Sequence, residues 1–278
     1  MPRKKKLKNI FLFIAIFAIL GIASLSYAGR GRLAQIVSDA SRPEIPRAQD
    51  SDEFRPMAPV EPLAAGKNNL KTASAKTAVT TTTAAAAPEK INLAVPFTPQ
   101  APHADWDQPY QDGCEETSAA MVHYYYSKQK FASPDAADEE LKKLFAWEDK
   151  TFGFNKDTTA LQTAQLLKEY YGYARVEVRE VKSSADIKKE LAAGRPVIVP
   201  AYGKALKNPN FKNGGPVYHM LVIKGFIGDD TFITNDPGTR KGADYVYSAA
   251  TVFSAIHDWN GGNVPEGSKV MIIVYPNR

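Results

Sequence analysis

One residue in this chain of 278 is a cysteine, Cys114. It stands in Gln111-Asp112-Gly113-Cys114-Glu115-Glu116-Thr117, where Gly113 closes a loop and a helix is predicted to begin. Unpaired N–H groups at a helix start favour negative charge, so a thiol placed there loses its proton more easily. Asp112, Glu115 and Glu116 oppose this by repulsion. The helix start alone is therefore insufficient, and a protonated histidine is needed as ion-pair partner. The other use of a lone cysteine is as a small buried hydrophobe. A single cysteine rules out a disulfide within the chain and a thiolate-rich zinc site. The four histidines are scattered, with no HExxH spacing. No metal and no cofactor are expected.

Of those histidines, His123 lies nine residues along the helix from Cys114. That is about 13.5 Å of axial rise, too far to reach the thiol. His103 sits in a proline-rich loop, and His257 beside Asp258 reads as part of a solvated helical face. His219 differs: it interrupts the otherwise apolar strand pattern Val217-Tyr218-His219-Met220-Leu221-Val222-Ile223. A ring there is either a core histidine bonded to backbone or a site residue. The next strand ends in Thr234-Asn235-Asp236-Pro237-Gly238 after a Gly228-Asp229-Asp230 turn. Adjacent strands lie about 4.8 Å apart, so Asp236 falls within a few residues of facing His219. A carboxylate on one ring nitrogen fixes the tautomer and leaves the other for a thiol. Asn-Asp-Pro-Gly is also a strong turn signal in its own right. Gln108, six residues before Cys114, is a candidate amide donor to an oxyanion beside the Cys114 N–H. Gln111 is a rival at closer range.

The elements that must hold these residues follow from periodicity. A strand is predicted over Ile91–Pro96 and a helix from Cys114 to about Lys128. Two further helices cover Asp135–Trp147 and Thr158–Tyr171. Val176–Val181 reads as a strand, Ser184–Ala193 as a helix ended by Gly194, and Pro196–Ala201 as an apolar strand. Val217–Phe226 and Thr231–Asn235 form a hairpin. Tyr245–Tyr247 is strand-like, Ala249–Trp259 helical, and Lys269–Tyr275 a closing strand. Helices first and mostly antiparallel strands after give an α+β class, with N-terminal helices packed on the sheet.

Residues 1–90 hold 14 basic and 7 acidic residues, net +7, and residues 91–278 hold 21 and 23, net −2. The basic balance belongs to the N-terminal part, and a nearly neutral folded part offers no surface for nucleic acid. Five basic residues within 2–8 precede an uncharged apolar run from Ile10 to Ala28. Nineteen residues of helix rise about 28 Å, close to the hydrocarbon thickness of a bilayer. Residues 1–28 thus read as a signal anchor that tethers an exported domain to the membrane. Ser26-Tyr27-Ala28 resembles a cleavage site, so a cleaved signal and a secreted domain is the alternative. From 29 to 90 the chain is rich in Pro, Ala and Thr, with Phe54 its only aromatic residue. It reads as a disordered linker, and the functional domain as 91–278. In an exported chain a lone reducible thiol is a liability without a use, which favours a functional Cys114.

Taken together, Gln108-x5-Cys114 opening a helix, His219 in a strand followed by Gly225, and Asn235-Asp236-Pro237 one hairpin later resemble a known family. It is the papain-like cysteine peptidases that process double-glycine leader peptides of bacteriocins, cysteine peptidase family thirty-nine. The likeness is to its stand-alone, secreted branch and covers roughly residues 91–278. The resemblance implies a papain-like fold with Cys114 as nucleophile, His219 as general base and acid, Asp236 as its orienter and Gln108 in the oxyanion hole. Where the family often has Cys-Gly-Pro, this chain has Cys114-Glu115-Glu116. The expected activity is hydrolysis of a peptide or amide bond in a peptide or protein substrate. Lysines in the loop 203–216 read first as a solvated loop, and as the alternative they suggest a mildly acidic substrate. A cell-wall amidase or endopeptidase, an acyl transferase of the same fold, and a catalytically silent surface binding module are the alternatives.

Overall fold

A computed structural model describes residues 43–54 and 88–277. The described residues from Ile45 onward belong to one unit; Pro43 and Glu44 belong to a separate N-terminal one. The apolar run at 10–28 and the Ala/Thr-rich stretch at 72–87 lie outside the described residues. Among the described residues no helix is long and apolar enough to cross a membrane.

Seven strands build one sheet: β1 (Lys90–Asn92), β2 (Arg175–Glu180), β3 (Val197–Ala201), β4 (His219–Ile227), β5 (Thr231–Asn235), β6 (Tyr245–Ser248) and β7 (Val270–Tyr275). Their order is β2-β7-β3-β4-β5-β6, with β1 also on β4, and every pairing is antiparallel. Among the described residues five α-helices accompany it: α1 (Cys114–Tyr126), α2 (Pro134–Phe152), α3 (Ala160–Glu169), α4 (Ser184–Ala192) and α5 (Ala249–Ala255). This is the expected α+β arrangement, helices first on a mostly antiparallel sheet.

Strand β4 is the central element. Its N-terminal half pairs with β3, setting Ala201 opposite His219, while its C-terminal half pairs with β1, setting Asn92 opposite Gly225. β3 is apolar without alternation, β4 is apolar but for His219 and Lys224, and both are buried almost throughout, as strands covered on both faces must be. A Cβ on Gly225 would overlap the Ile91 carbonyl oxygen, so the close crossing of β1 requires glycine there. Between Ile223 and Gly225 the β4–β5 register shifts by one residue.

Helix α1 packs its length on β4 and is flanked by α2 and α3. Every residue from Cys114 to Val122 is buried. A helix enclosed on all sides is normally apolar all round, yet the first turn of α1 carries Glu115, Glu116, Thr117 and Ser118.

Two local differences from the sequence reading stand out. Helix α5 ends at Ala255, because Ile256 turns extended and bridges Ala201. His257 is therefore not on a helical face; it is half-buried, its Nδ1 2.9 Å from the Gly267 carbonyl. In the segment read as linker, residues 45–54 lie against the folded body. Gln49 exchanges backbone bonds with Asn92 (2.7 Å) and Ala94 (2.8 Å), and Phe54 packs on Gly194. The lone aromatic of that segment supplies the apolar area that holds it there.

Candidate active site

The site lies where the start of α1 meets the start of β4. Gly113 precedes the helix without a side-chain cap, so the first N–H groups of α1 stay available at Cys114. The Cys114 side chain is buried and also contacts the Met220 backbone, next to His219. One cleft of about 890 Å³ is lined by Cys114 and His219 together with Gln100, Gln111, Tyr218 and Gly238.

His219 and Asp236 come together as the hairpin predicts. His219 Nε2 lies 2.8 Å from Asp236 Oδ1, with both side chains buried. The register that allows this runs through the bulge: Val222 faces Asn235, which carries the last residue of β5 back toward the head of β4. Asp236 accepts three further hydrogen bonds, from the Gly238 N–H (3.0 Å), Asn208 Nδ2 (3.2 Å) and the Tyr247 hydroxyl (2.5 Å). Burial alone would raise this carboxyl; the His219 ring, Tyr247 and the Gly238 N–H outweigh it and hold it below the ordinary value. Asn208 and Tyr247 carry no sequence signal. Tyr247 arrives only because β6 pairs with β5, with Phe232 opposite Tyr247.

Two turns grip the imidazole from its flanks. The Phe211 ring meets it edge-on with centroids 5.3 Å apart. A Cβ on Gly238 would lie 2.8 Å from His219 Cε1, so only glycine lets that backbone pass so near the ring.

The thiol itself is engaged elsewhere: Cys114 Sγ donates to Glu115 Oε2 at 2.9 Å. Burial, and then Glu115 and Glu116, push the Cys114 thiol well above its ordinary value, against a smaller lowering by the Met220 backbone. Behind it, Glu116 faces Glu148 of α2. Burial raises Glu115 and Glu116 well above the carboxylate range and lifts Glu148 to about 7. Desolvation disfavours the charged form of each.

Gln108 is not brought to this cleft. Its amide donates outward to Asp112 Oδ2 at 2.6 Å, and its side chain is exposed. Gln111 lines the cleft instead. So does Gln100, buried, with both amide hydrogens on the carbonyls of Tyr110 and Gln111 (2.9 Å each) and its own N–H on the Pro237 carbonyl (3.0 Å). Gln100 thus ties the segment entering α1 to the loop leaving Asp236. Its place fourteen residues before Cys114 gives no spacing signal. His103 and His123 lie off the cleft; His123 stacks on Tyr171 with centroids 4.0 Å apart. Among the described residues no group of His, Cys, Asp and Glu is arranged to hold a metal ion.

No curated protein matches the chain. A crystal structure of a candidate C39-like peptidase from Bacillus anthracis matches with 20% identity and a TM-score of 0.45, covering 68% of this chain and 99% of that one. The model of the Peptidase_C39 like family matches residues 92–261, which include Cys114, His219 and Asp236. The chain belongs to the Peptidase_C39 like family, and its fold is that of a papain-like peptidase.

Proposed function

We propose that this protein is an exported, membrane-tethered cysteine peptidase that cleaves a peptide or amide bond through Cys114, His219 and Asp236. The observation that carries the reading is the buried 2.8 Å pair of His219 Nε2 with Asp236 on the cleft that also holds Cys114. With Nε2 occupied by the carboxylate, Nδ1 is the ring atom left for the thiol. His219 takes the thiol proton through that atom, and the sulfur attacks the substrate carbonyl. The Cys114 N–H at the helix start and the Gln111 amide are the donors for the oxyanion. His219 then returns the proton to the leaving amine, and water assisted by the same ring frees the acyl group. Asp236, held by four donors, keeps the ring in the productive tautomer through both steps.

Export rests on the charged stub and apolar run at 1–28. The alternatives within the same fold, a cell-wall amidase or an acyl transferase, share this triad and differ only in substrate.

A thiol-reactive active-site probe tests the chemistry. Burial and Glu115 by themselves hold the thiol protonated, so labelling faster than a model thiol requires His219 to take the proton; such labelling is expected, and it is expected to collapse in His219→Ala. Equal labelling of both proteins, at the rate of the model thiol, would sink the enzyme reading. Membrane fractionation of the chain with and without residues 1–28 tests the tether, and identical partitioning would refute it.

A further inference from the structure

Both turns that grip His219 carry cations at their tips. Phe211, packed on the ring, is followed by Lys212, at the start of a 3-10 turn closed by Gly215 N–H to the Lys212 carbonyl (3.1 Å). Gly238, on the other flank, leads into Arg240 and Lys241. That second turn is closed at its base by Asp236 N–H to the Gly242 carbonyl (3.0 Å) and by Gly242 N–H to the Thr239 carbonyl (3.2 Å). Lys212, Arg240 and Lys241 all line the cleft, all are exposed, and among the described residues none has an ion-pair partner. Elsewhere in the domain many cations are paired, such as Lys142 with Asp138, Lys188 with Asp229, Lys224 with Asp244 and Arg179 with Glu190, and those without an ion-pair partner among the described residues, such as Lys130, Lys150, Lys168 and Lys189, do not line the cleft. Lys204 and Lys207, in the same loop as Lys212, do not line the cleft. The one carboxylate among the lining residues is Asp107. A domain whose residues 91–278 carry net −2 thus presents a cleft with three cations and one anion. Field lines concentrate in such a cleft and raise the local concentration of oppositely charged ligand.

We propose that the cleft selects acidic peptides, with Lys212, Arg240 and Lys241 meeting carboxylates on either side of the bond presented to Cys114. This rests on the reading of the cleft as a peptidase site. The two closed turns fix where the charges stand relative to the His219 ring, so the preference is for carboxylates flanking the scissile bond rather than for negative charge at large. Exposed cations individually add little; three unpaired ones acting on a single strand of peptide add up to roughly a tenfold preference at low salt, screened away at high salt.

The test is binding by the full-length Cys114→Ala chain, which needs no turnover. Two fluorescein-labelled decapeptide pools are compared, one with Asp or Glu at three central positions and one with Asn or Gln there. The acidic pool is expected to bind roughly tenfold tighter at low salt and within about twofold at high salt. Adding Lys212→Glu, Arg240→Glu and Lys241→Glu is expected to abolish or invert the preference with the melting temperature unchanged. Equal binding of the two pools, an acidic preference that survives the three reversals, or equally tight binding of polyphosphate would each overturn the proposal. If the preference holds while the wild-type thiol shows no enhanced labelling, substrate selection stands and the catalytic reading alone fails.

Discussion

Glu115 stands directly after the candidate nucleophile, and the structure shows what it touches. Its Oε2 receives the thiol at 2.9 Å, so the sulfhydryl is turned to the Glu115 carboxyl. At the pH where the thiol titrates, a neighbouring carboxylate repels the new charge. Glu115→Gln removes that repulsion, and alkylation of Cys114 near neutral pH is expected to rise roughly three- to tenfold, with the midpoint of its pH profile moved down. An unchanged profile would show that Glu115 does not control the thiol. Asp236→Asn acts on the opposite end of the triad. An amide facing Nε2 favours the wrong tautomer, so kcat is expected to fall roughly a hundredfold or more with KM little changed. A loss confined to KM would remove Asp236 from the orienting role. That Cys114, His219 and Asp236 would come to one region was readable from residue type and order. Gln108 was not placed correctly by spacing, because Pro109 and the turn at Tyr110–Asp112 point its amide outward to Asp112.

At the level of elements, the site depends on β4 being held at both ends. Its head carries His219 and its tail is pinned by β1 across Gly225. Gly225→Ala forces a Cβ into the Ile91 carbonyl, a backbone group that cannot swing aside. The expected cost is about 3 kcal/mol, read as a lower urea midpoint, with faster amide exchange first at residues 90–94. A midpoint shift under about 0.5 kcal/mol would mean that β1 gives way freely. Most element boundaries were legible because apolar periodicity and caps agree: Thr159 and Gln162 form a capping box at α3, and Ser133 with Pro134 opens α2. The early end of α5 was not legible. Ile256 continues an apolar helical pattern, and only the presence of Ala201 beside it makes an extended bridge preferable.

Across the whole molecule two sets of buried carboxyls titrate in opposite senses. Glu148, lifted from 4.5 to about 7 by burial, binds its proton more tightly folded than unfolded. Its contribution is therefore fully present below about 4.5 and is lost as pH rises through about 7. Glu115 and Glu116 shift in the same direction. Asp236 is depressed, so its contribution is present above its ordinary value and is lost as pH falls below it. Stability is expected to peak on the acid side of neutrality and to decline toward about pH 8, with Glu148→Gln flattening that decline in thermal melts. A melting temperature that climbs steadily to about pH 8 in both proteins would contradict this. By itself the sequence determined the family resemblance, the α+β order of elements and the pairing of His219 with Asp236. These depend on residue type, periodicity and a short hairpin, all of which are local. Only the tertiary structure decided that Asn208 and Tyr247 share Asp236, that Gln111 and Gln100 rather than Gln108 reach the cleft, and that Lys212, Arg240 and Lys241 surround it. Those contacts join residues from separate loops and strands, so they exist only after the sheet has closed. The same holds for the single cysteine. Its position at a helix start was evident from its neighbours, but burial against β4 and against its own Glu115 decides how readily the thiol gives up its proton.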